Sequence, residues 1–156
     1  MILSVVKPAT SFQVIVSAGL SKEHIIPILY RPFDTRFTYF TGKSRGFLCM
    51  PRPELMKSLS KPNIAIVTCR QLSGGEWSHA LVTNTYTESC YISNKSKEIG
   101  YIFPLYIYKN DSKKEYNVNL LILNKFAQQL NHDVAPDEIF YYIYSVLFSQ
   151  KYRTKY

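Results

Sequence analysis

Arginine residues are concentrated in one part of this 156-residue chain. Five of its six arginines fall between residues 31 and 70, a stretch that holds eight cations against two acids, Asp34 and Glu54. The stretch therefore carries +6 of the formal net charge of +8. A planar guanidinium group grips two acceptors at once, either on a phosphate or on the O6 and N7 edge of guanine. This concentration of arginine favours a polyanionic partner over mere solubility.

The same stretch interleaves aromatic rings with the cations. In proteins that bind single strands, such rings stack on unpaired bases. Strand alternation favours another role, because it would bury Phe37, Tyr39 and Phe47 in the core. We therefore expect core packing rather than base stacking. We also interpret Arg31 and Asp34 as an internal ion pair that holds the fold.

No residue pattern in the chain assembles an active site. The loop at 42–46, Gly-Lys-Ser-Arg-Gly, resembles the end of a phosphate-binding loop but lacks the glycine that this motif needs at position 37. Either the loop holds a DNA phosphate through its backbone N–H groups and two cations, or it is an ordinary solvated turn. The three histidines stand singly, the three cysteines form no C-x-x-C pair, and no serine lies in a nucleophile elbow. We expect no catalytic residue and no metal site here.

Hydrophobic patterning predicts an α+β fold with a mixed or mostly antiparallel sheet in the first two thirds and helices at the C-terminus. The expected strands are 12–16, 36–41, 64–68, 79–83, 90–92 and 101–108. The expected helices are 53–59, 120–130 and a last helix from residue 136. In that last helix, Ile139, Ile143, Val146 and Leu147 share one apolar face. The polar segment 110–119 is expected to be a mobile loop or linker.

Length and composition predict a single domain over 1–156, with a β-rich part over 1–110 and a helical part over 119–150. No apolar run approaches the roughly 20 residues that a membrane span requires, and the first residues lack the basic region of a secretory signal. An odd number of cysteines fits a reducing compartment. We expect a soluble, cytoplasmic protein without a membrane partner.

Four sequence strings occur in an order typical of one protein family. They are YRPFDTRFTYFTGKSRGF at 30–47, CRQ at 69–71, YIFPLYIY at 101–108 and EIFYYIYSVLFSQKYRTKY at 138–156. The strings resemble the C-terminal specificity region, or target recognition domain, of type ISP and type IIG restriction–modification enzymes. Those enzymes fuse a nuclease and an adenine-N6 DNA methyltransferase to this region. The resemblance covers most of the chain from Ile25 onward.

The resemblance implies that this chain is a non-catalytic domain that recognises a sequence in double-stranded DNA. Methyl transfer from S-adenosylmethionine and Mg²⁺-dependent cleavage would belong to other parts of the parent enzyme, so no cofactor is expected in this chain. The implied partners are duplex DNA and the methyltransferase domain of the parent chain. Family members continue beyond the matching end, so the sequence resembles a C-terminal piece. Two alternatives stay open: a structural coupling domain without direct base reading, and a module for single-stranded nucleic acid or RNA.

The candidate DNA-binding residues are chosen by their charge and hydrogen-bonding groups, because no family motif identifies them. The candidates are Arg36, Lys43, Arg45, Arg52, Lys57, Lys61 and Arg70. The arginines are candidates for contacts to bases or phosphates, and the lysines for contacts to phosphates. We expect the folded chain to gather these groups on one surface that faces a groove of the duplex.

Overall fold

The computed structural model describes residues 13, 15–17, 19–41, 52–95, 97–109 and 113–155. Its strands are β1 (Ile25–Arg31), β2 (Asp34–Tyr39), β3 (Ala65–Cys69), β4 (Ala80–Thr83), β5 (Gly100–Pro104), β6 (Tyr106–Tyr108) and β7 (Lys114–Tyr116). Its helices are α1 (Pro53–Leu59), α2 (Leu120–Leu130), α3 (Pro136–Phe148) and α4 (Gln150–Lys155), and a 3₁₀ turn (Lys22–His24) precedes β1. The named strands pair in antiparallel fashion, and the last three helices follow them, which confirms the predicted α+β class.

A three-stranded sheet in the order β4-β3-β5 forms the centre of the fold. In the middle strand, Val67 lies opposite Leu81 of β4 and Ile102 of β5. The strands predicted at 64–68 and 79–83 are confirmed as β3 and β4, which pair antiparallel. Both faces of β3 are covered, since all of its residues except Thr68 are buried. This explains why the strand reads as a continuous apolar run rather than as an alternating pattern.

Two groups of apolar side chains cover the two faces of β3. On one face, Val67 belongs to a core with Met56 and Leu59 of α1 and with Ile28 of β1. On the other face, Ile66 packs with Phe140 of α3. The period-two alternation of a strand sends these neighbouring side chains to opposite faces. The β1–β2 hairpin and α1 therefore lie on one side of the sheet, and α3 lies on the other.

Local sequence explains where the helices begin. Proline at the first position of α1 and of α3 needs no intrahelical N–H partner. The Asn119 side chain accepts the Leu121 N–H at 2.9 Å and caps α2. Glu138 reaches back in α3 to accept the N–H of Ala135 at 2.8 Å. The predicted helices at 53–59 and 120–130 are confirmed with their bounds.

The last predicted helix, from residue 136, is confirmed at its start. It ends at Phe148, because Ser149 has extended backbone, and α4 begins immediately afterwards. The predicted apolar face is confirmed in part: Ile139 is buried and Leu147 packs toward the sheet with Phe140 and Tyr144, whereas Ile143 is 44% exposed. The helix is apolar on most sides, so spacing alone could not select the face that contacts the sheet.

Three element predictions were wrong. The described residues of the 12–16 segment, 13 and 15–16, are helical, and β propensity has little force without a partner strand. Residues 90–92 form a turn, from which Tyr91 fills the core. The 110–119 segment contains β7, which pairs with β6 across a gap in the described residues. None of the helices in the described ranges has the length and apolar character to cross a bilayer.

Candidate nucleic-acid interface

A β-bulge in the β1–β2 hairpin places two guanidinium groups over one aromatic ring. The register of the hairpin shifts between Leu29 and Arg31, so that Tyr30 has no residue opposite it. The Cζ atom of Arg31 lies 4.1 Å from the centroid of the Tyr30 ring, and that of Arg36 lies 3.9 Å from it. Bulges redirect side chains in this way, and the ring faces attract the cations. The tip of the hairpin therefore carries a preorganised pair of arginines.

The carboxylate partners of these arginines differ from the predicted pair. Arg31 binds Glu88, with Nη1 2.9 Å from Oε2, and Asp34 instead binds Arg36, with Nη2 2.9 Å from Oδ2. Asp34 and Arg36 are two residues apart on one strand and share a face, which aligns the guanidinium fork with the carboxylate. The predicted Arg31–Asp34 ion pair was wrong for this reason. Asp34 also raises the pKa of Arg36, so this side chain stays charged.

Two aromatic side chains at the hairpin tip are open to solvent. Phe33 is fully exposed in the turn between the strands, and Phe37 is 73% exposed. The predicted burial of Phe37 was wrong because the hairpin turns its other face, with Ile26 and Ile28, toward the core. Tyr39 shares the face of Phe37 but is partly buried, because its hydroxyl donates to the Gly19 carbonyl and its ring packs against His24, which precede β1. Phe47 lies outside the described residues.

A second cationic surface, the lysine surface, consists of Lys61 and Lys114 on the Tyr106 and Tyr108 face of the β6–β7 hairpin, while Lys109 and Lys113 lie beside Glu115 on its other face. Lys61 Nζ lies 5.3 Å from the Tyr108 ring centroid, and Lys114 Nζ lies 4.1 Å from that of Tyr106. Glu115 is the acid among the described residues of this hairpin, and the hydrogen bonds that it accepts from Lys109 and Lys113 lower its pKa. Counted over 106–116, the hairpin together with Lys61 holds four lysines against two acids, Asp111 and Glu115, and therefore stays positive.

The buried Asn63 side chain fixes the lysine surface to the end of α1. Its Nδ2 group donates to the carbonyls of Ser58 at 2.9 Å and Tyr106 at 2.8 Å. Its Oδ1 atom accepts the N–H groups of Ile64 at 3.0 Å and Tyr106 at 3.1 Å. The hydroxyl oxygen of Ser58 also accepts the Tyr108 N–H at 3.1 Å. All four hydrogen-bonding positions of the amide are thus used, which holds β6 in a single placement.

The described candidates from the sequence lie on three different parts of the fold. Arg36 lies on the β1–β2 hairpin. Arg52 immediately precedes α1, Lys57 lies in its last turn, and Lys61 follows it. Arg70 follows β3, at the opposite end of that strand from Lys61, and a five-residue strand spans roughly 17 Å. Lys43 and Arg45 lie outside the described residues.

Sequence reasoning missed the three lysines of the β6–β7 hairpin. The charge was counted only over the continuous stretch 31–70, and 110–119 was interpreted as a mobile loop or linker. The signal available was the alternation of Tyr106 and Tyr108, followed after a polar break by Lys114 and Tyr116. Two short alternating segments separated by polar residues are typical of a hairpin. The Tyr108–Lys114 register pair brings Lys114 to the hairpin face on which Lys61 packs.

The segment that begins at Arg70 is anchored by a buried acid. Glu98 is 1% exposed and accepts the Ser73 N–H at 2.8 Å, while its other oxygen lies 3.0 Å from His79 Nε2. Hydrogen bonding, first from Ser93 and then from the Ser73 N–H, lowers the pKa of Glu98 to about 2. Arg70 itself is exposed, with its Cζ atom 5.5 Å from the Tyr101 ring centroid. Within the described ranges, no group of three His, Cys, Asp or Glu residues is placed to hold a metal.

The chain is thus an α+β domain that presents exposed arginines, lysines and aromatic rings on hairpins and helix ends. The family model of the Type ISP C-terminal specificity domain matches residues 7–156, and the chain belongs to this family. It is similar to a solved structure described as the cryo-EM structure of a DrdV–DNA complex, with 25% sequence identity and a TM-score of 0.73. The match covers 88% of this chain and 13% of that chain. No curated protein sequence matches.

Proposed function

We propose that this domain binds double-stranded DNA and reads its sequence as the specificity domain of a restriction–modification enzyme. The observation that carries the proposal is the match of the specificity-domain family to residues 7–156. A relative of the same fold has been solved in a complex with DNA. The net charge of +8 and the exposed cations of the hairpins supply the electrostatic attraction that duplex binding requires.

Several contacts favour a duplex over a single strand. A single-strand binder needs several open rings on which successive bases stack. Of the aromatic residues described between 30 and 40, Tyr30 is covered by two guanidinium groups, Tyr39 is hydrogen bonded, and Phe40 packs against the core. Phe33 and Phe37 are the open rings of this group. Two rings on a narrow hairpin suit a groove contact better than a stacking platform.

The parent protein is proposed to be a DNA adenine-N6 methyltransferase with restriction endonuclease activity. The chain spans about 13% of the length of its solved relative, which leaves room for such domains elsewhere in a longer protein. S-adenosylmethionine and Mg²⁺ would then act in those domains, and the methyltransferase domain would be the protein partner of this one. We propose that residues 1–156 form a single unit, with its β-rich part over 1–110 and its helical part over 119–150.

A structural coupling role is the second candidate function, and the surface of α2 favours it. Leu120 and Leu121 are 72% and 69% exposed, and α2 has no buried residue. Tyr141 and Tyr142 of α3 are also more than half exposed. Exposed apolar surface of this kind suits a protein contact. Coupling through these helices is compatible with DNA reading through the hairpins.

A binding titration of the 156-residue chain tests the proposal. Fluorescence anisotropy is measured at several salt concentrations on labelled 30-bp duplex, the matching single strand and RNA of equal length. We expect weak binding with preference for the duplex and a log–log salt slope of about −0.9 per phosphate contact. Preference for the single strand or RNA would favour the alternative module. No binding to any of the three at low salt would leave the coupling role.

A further inference from the structure

The turn of the β1–β2 hairpin contains a residue that the local backbone disfavours. Pro32 and Phe33 connect Arg31 to Asp34, and Phe33 has φ of 66°. A turn with proline first and a positive φ second normally has glycine or asparagine in the second position. A bulky residue in this region is a conformational outlier, and such outliers cluster at functional sites.

Packing within the domain does not explain this phenylalanine. Phe33 is 103% exposed relative to its reference area, so the side chain buries no apolar surface in the fold. Glycine would fit the positive φ of this turn better than phenylalanine does, and the exposed ring adds no packing within the fold in return. The side chain is therefore placed for a contact outside the domain.

The charges around the tip identify the partner chemistry. Arg31 and Arg36 flank the turn with their guanidinium groups over Tyr30. The Arg36–Asp34 pair is exposed, with side chains 58% and 40% accessible, so its carboxylate exchanges readily for another anion. An exposed aromatic ring in a turn that two arginines flank matches a groove of nucleic acid, where base edges lie between two rows of phosphates.

The hairpin is held to the domain at Leu29 and through the Arg31–Glu88 ion pair, while the turn beyond them is open to solvent. The Leu29 N–H donates to the Tyr86 carbonyl at 2.8 Å, and the Leu29 carbonyl accepts the Glu88 N–H at 2.9 Å. Beyond this attachment, Pro32 and Thr35 are exposed together with Phe33. A two-stranded ribbon fits the major groove, which is about 12 Å wide, and is too broad for the minor groove of about 6 Å.

We propose that the tip of the hairpin, residues 31–36, enters the major groove of duplex DNA and that Phe33 is a specificity-determining residue. Its ring makes apolar contact with the exposed edges of the bases, such as the methyl group of thymine, while Arg36 exchanges Asp34 for a phosphate or a guanine. This inference rests on the proposed function and names the element that would perform it.

Selection from a random duplex pool tests the inference with Phe33→Gly and Tyr141→Ala. Each protein selects from duplexes with 20 random base pairs, and the enriched sequences are compared with those of the wild type. We expect Phe33→Gly to keep or raise the melting temperature, since glycine accepts the positive φ. It should also lose roughly 5- to 100-fold discrimination at one or two base positions. Tyr141→Ala, an exposed aromatic on α3, should select the wild-type sequence.

Each outcome decides a separate question. If Phe33→Gly selects the wild-type sequence with undiminished discrimination, the hairpin inference is overturned while DNA reading stands. If the wild type enriches no sequence and does not bind duplex at low salt, both the proposed function and this inference are overturned. Phe33→Asn serves as a second variant, because asparagine also tolerates the left-handed region. If both variants melt well below the wild type, Phe33 is a structural residue and the inference is overturned.

Discussion

Arg31 of the β1–β2 hairpin and Glu88, 57 positions later, form an ion pair with Nη1 2.9 Å from Oε2. Glu88 also accepts the N–H of Cys90 at 2.8 Å and the hydroxyl of Ser89 at 2.8 Å. Its side chain is only 12% exposed, so these bonds form largely away from water. One carboxylate thus joins the arginine-bearing hairpin to the turn that carries Tyr91 into the core.

The first prediction follows from this carboxylate. Glu88→Ala leaves Arg31 and two other donors without their acceptor, and we expect it to lower the free energy of unfolding by about 1.5–3 kcal/mol. Urea denaturation followed by circular dichroism measures the change. Asp34→Ala is the matched control, because its exposed pair with Arg36 is worth less than about 1 kcal/mol. Equal effects of the two variants would show that Glu88 does not anchor the hairpin.

The second prediction concerns Asn63, whose amide makes four hydrogen bonds between α1 and β6. Asn63→Ala leaves two buried carbonyls and two N–H groups unsatisfied, and we expect a loss of about 2–4 kcal/mol. Asn63→Asp should also destabilise, since a carboxylate would face the Ser58 and Tyr106 carbonyls. Thermal unfolding gives both values, with the exposed Asn84→Ala as the control. A change below about 0.5 kcal/mol in Asn63→Ala would contradict this role.

The sequence correctly predicted the two helices whose start signals lie at the helix itself. Proline at position 53 and the asparagine cap at 119 mark helix starts, and both helices form with the predicted bounds. The sequence showed that a segment alternates as a strand does, but it did not show which face of the strand would contact the core. Phe37 lies on a real strand but on its solvent face, because the core contacts that select the face come from α1 and β3, distant in sequence.

In the candidate interface too, features set by neighbouring residues were predictable, and contacts between residues distant in sequence were not. Arginine density predicted that the 30–40 segment carries closely spaced cations, and Arg31 and Arg36 do share the Tyr30 ring. The partners of those arginines could not be predicted, since Glu88 becomes a neighbour only through folding. The lysine surface was missed because Lys61 and Lys114 are 53 positions apart and meet only when Asn63 fixes β6 beside α1.

The third prediction is a pH dependence that Glu98 generates. Its folded pKa of about 2 lies below its ordinary value, so the hydrogen-bonded carboxylate stabilises the native state above the unfolded pKa near 4.3. That stability is lost as the pH falls from about 5 toward 2. Denaturant midpoints measured between pH 2 and 7 should therefore drop more steeply in the wild type than in Glu98→Gln. Glu76→Gln, at an exposed position, should retain the wild-type profile, and identical profiles for all three proteins would refute the assignment.

The fourth prediction tests the 42–46 loop, which sequence reasoning nominated for phosphate contact. Replacing Lys43 and Arg45 together with alanine should flatten the log–log salt slope of duplex binding by about 0.9 for each lost contact. Anisotropy titrations at four salt concentrations provide the slope. Lys151→Ala with Lys155→Ala, on the exposed surface of α4, is a control with the same change in charge. An unchanged slope in the loop variant would remove this loop from the interface.

The fifth prediction tests the lysine surface against total charge. If Lys61 and Lys114 contact DNA phosphates, replacing both with alanine should flatten the salt slope by about 1.8, because each contact releases about 0.9 counterions. The affinity should fall on every duplex to a similar extent, since phosphate contacts carry no sequence information. Lys125→Ala with Lys151→Ala changes the net charge equally on α2 and α4 and should leave the slope within error. If the two double variants flatten the slope equally, the binding reports net charge rather than a defined surface. Because Lys61 and Lys114 pack on Tyr108 and Tyr106, the melting temperature of their double variant is measured in parallel to confirm that β6 stays in place.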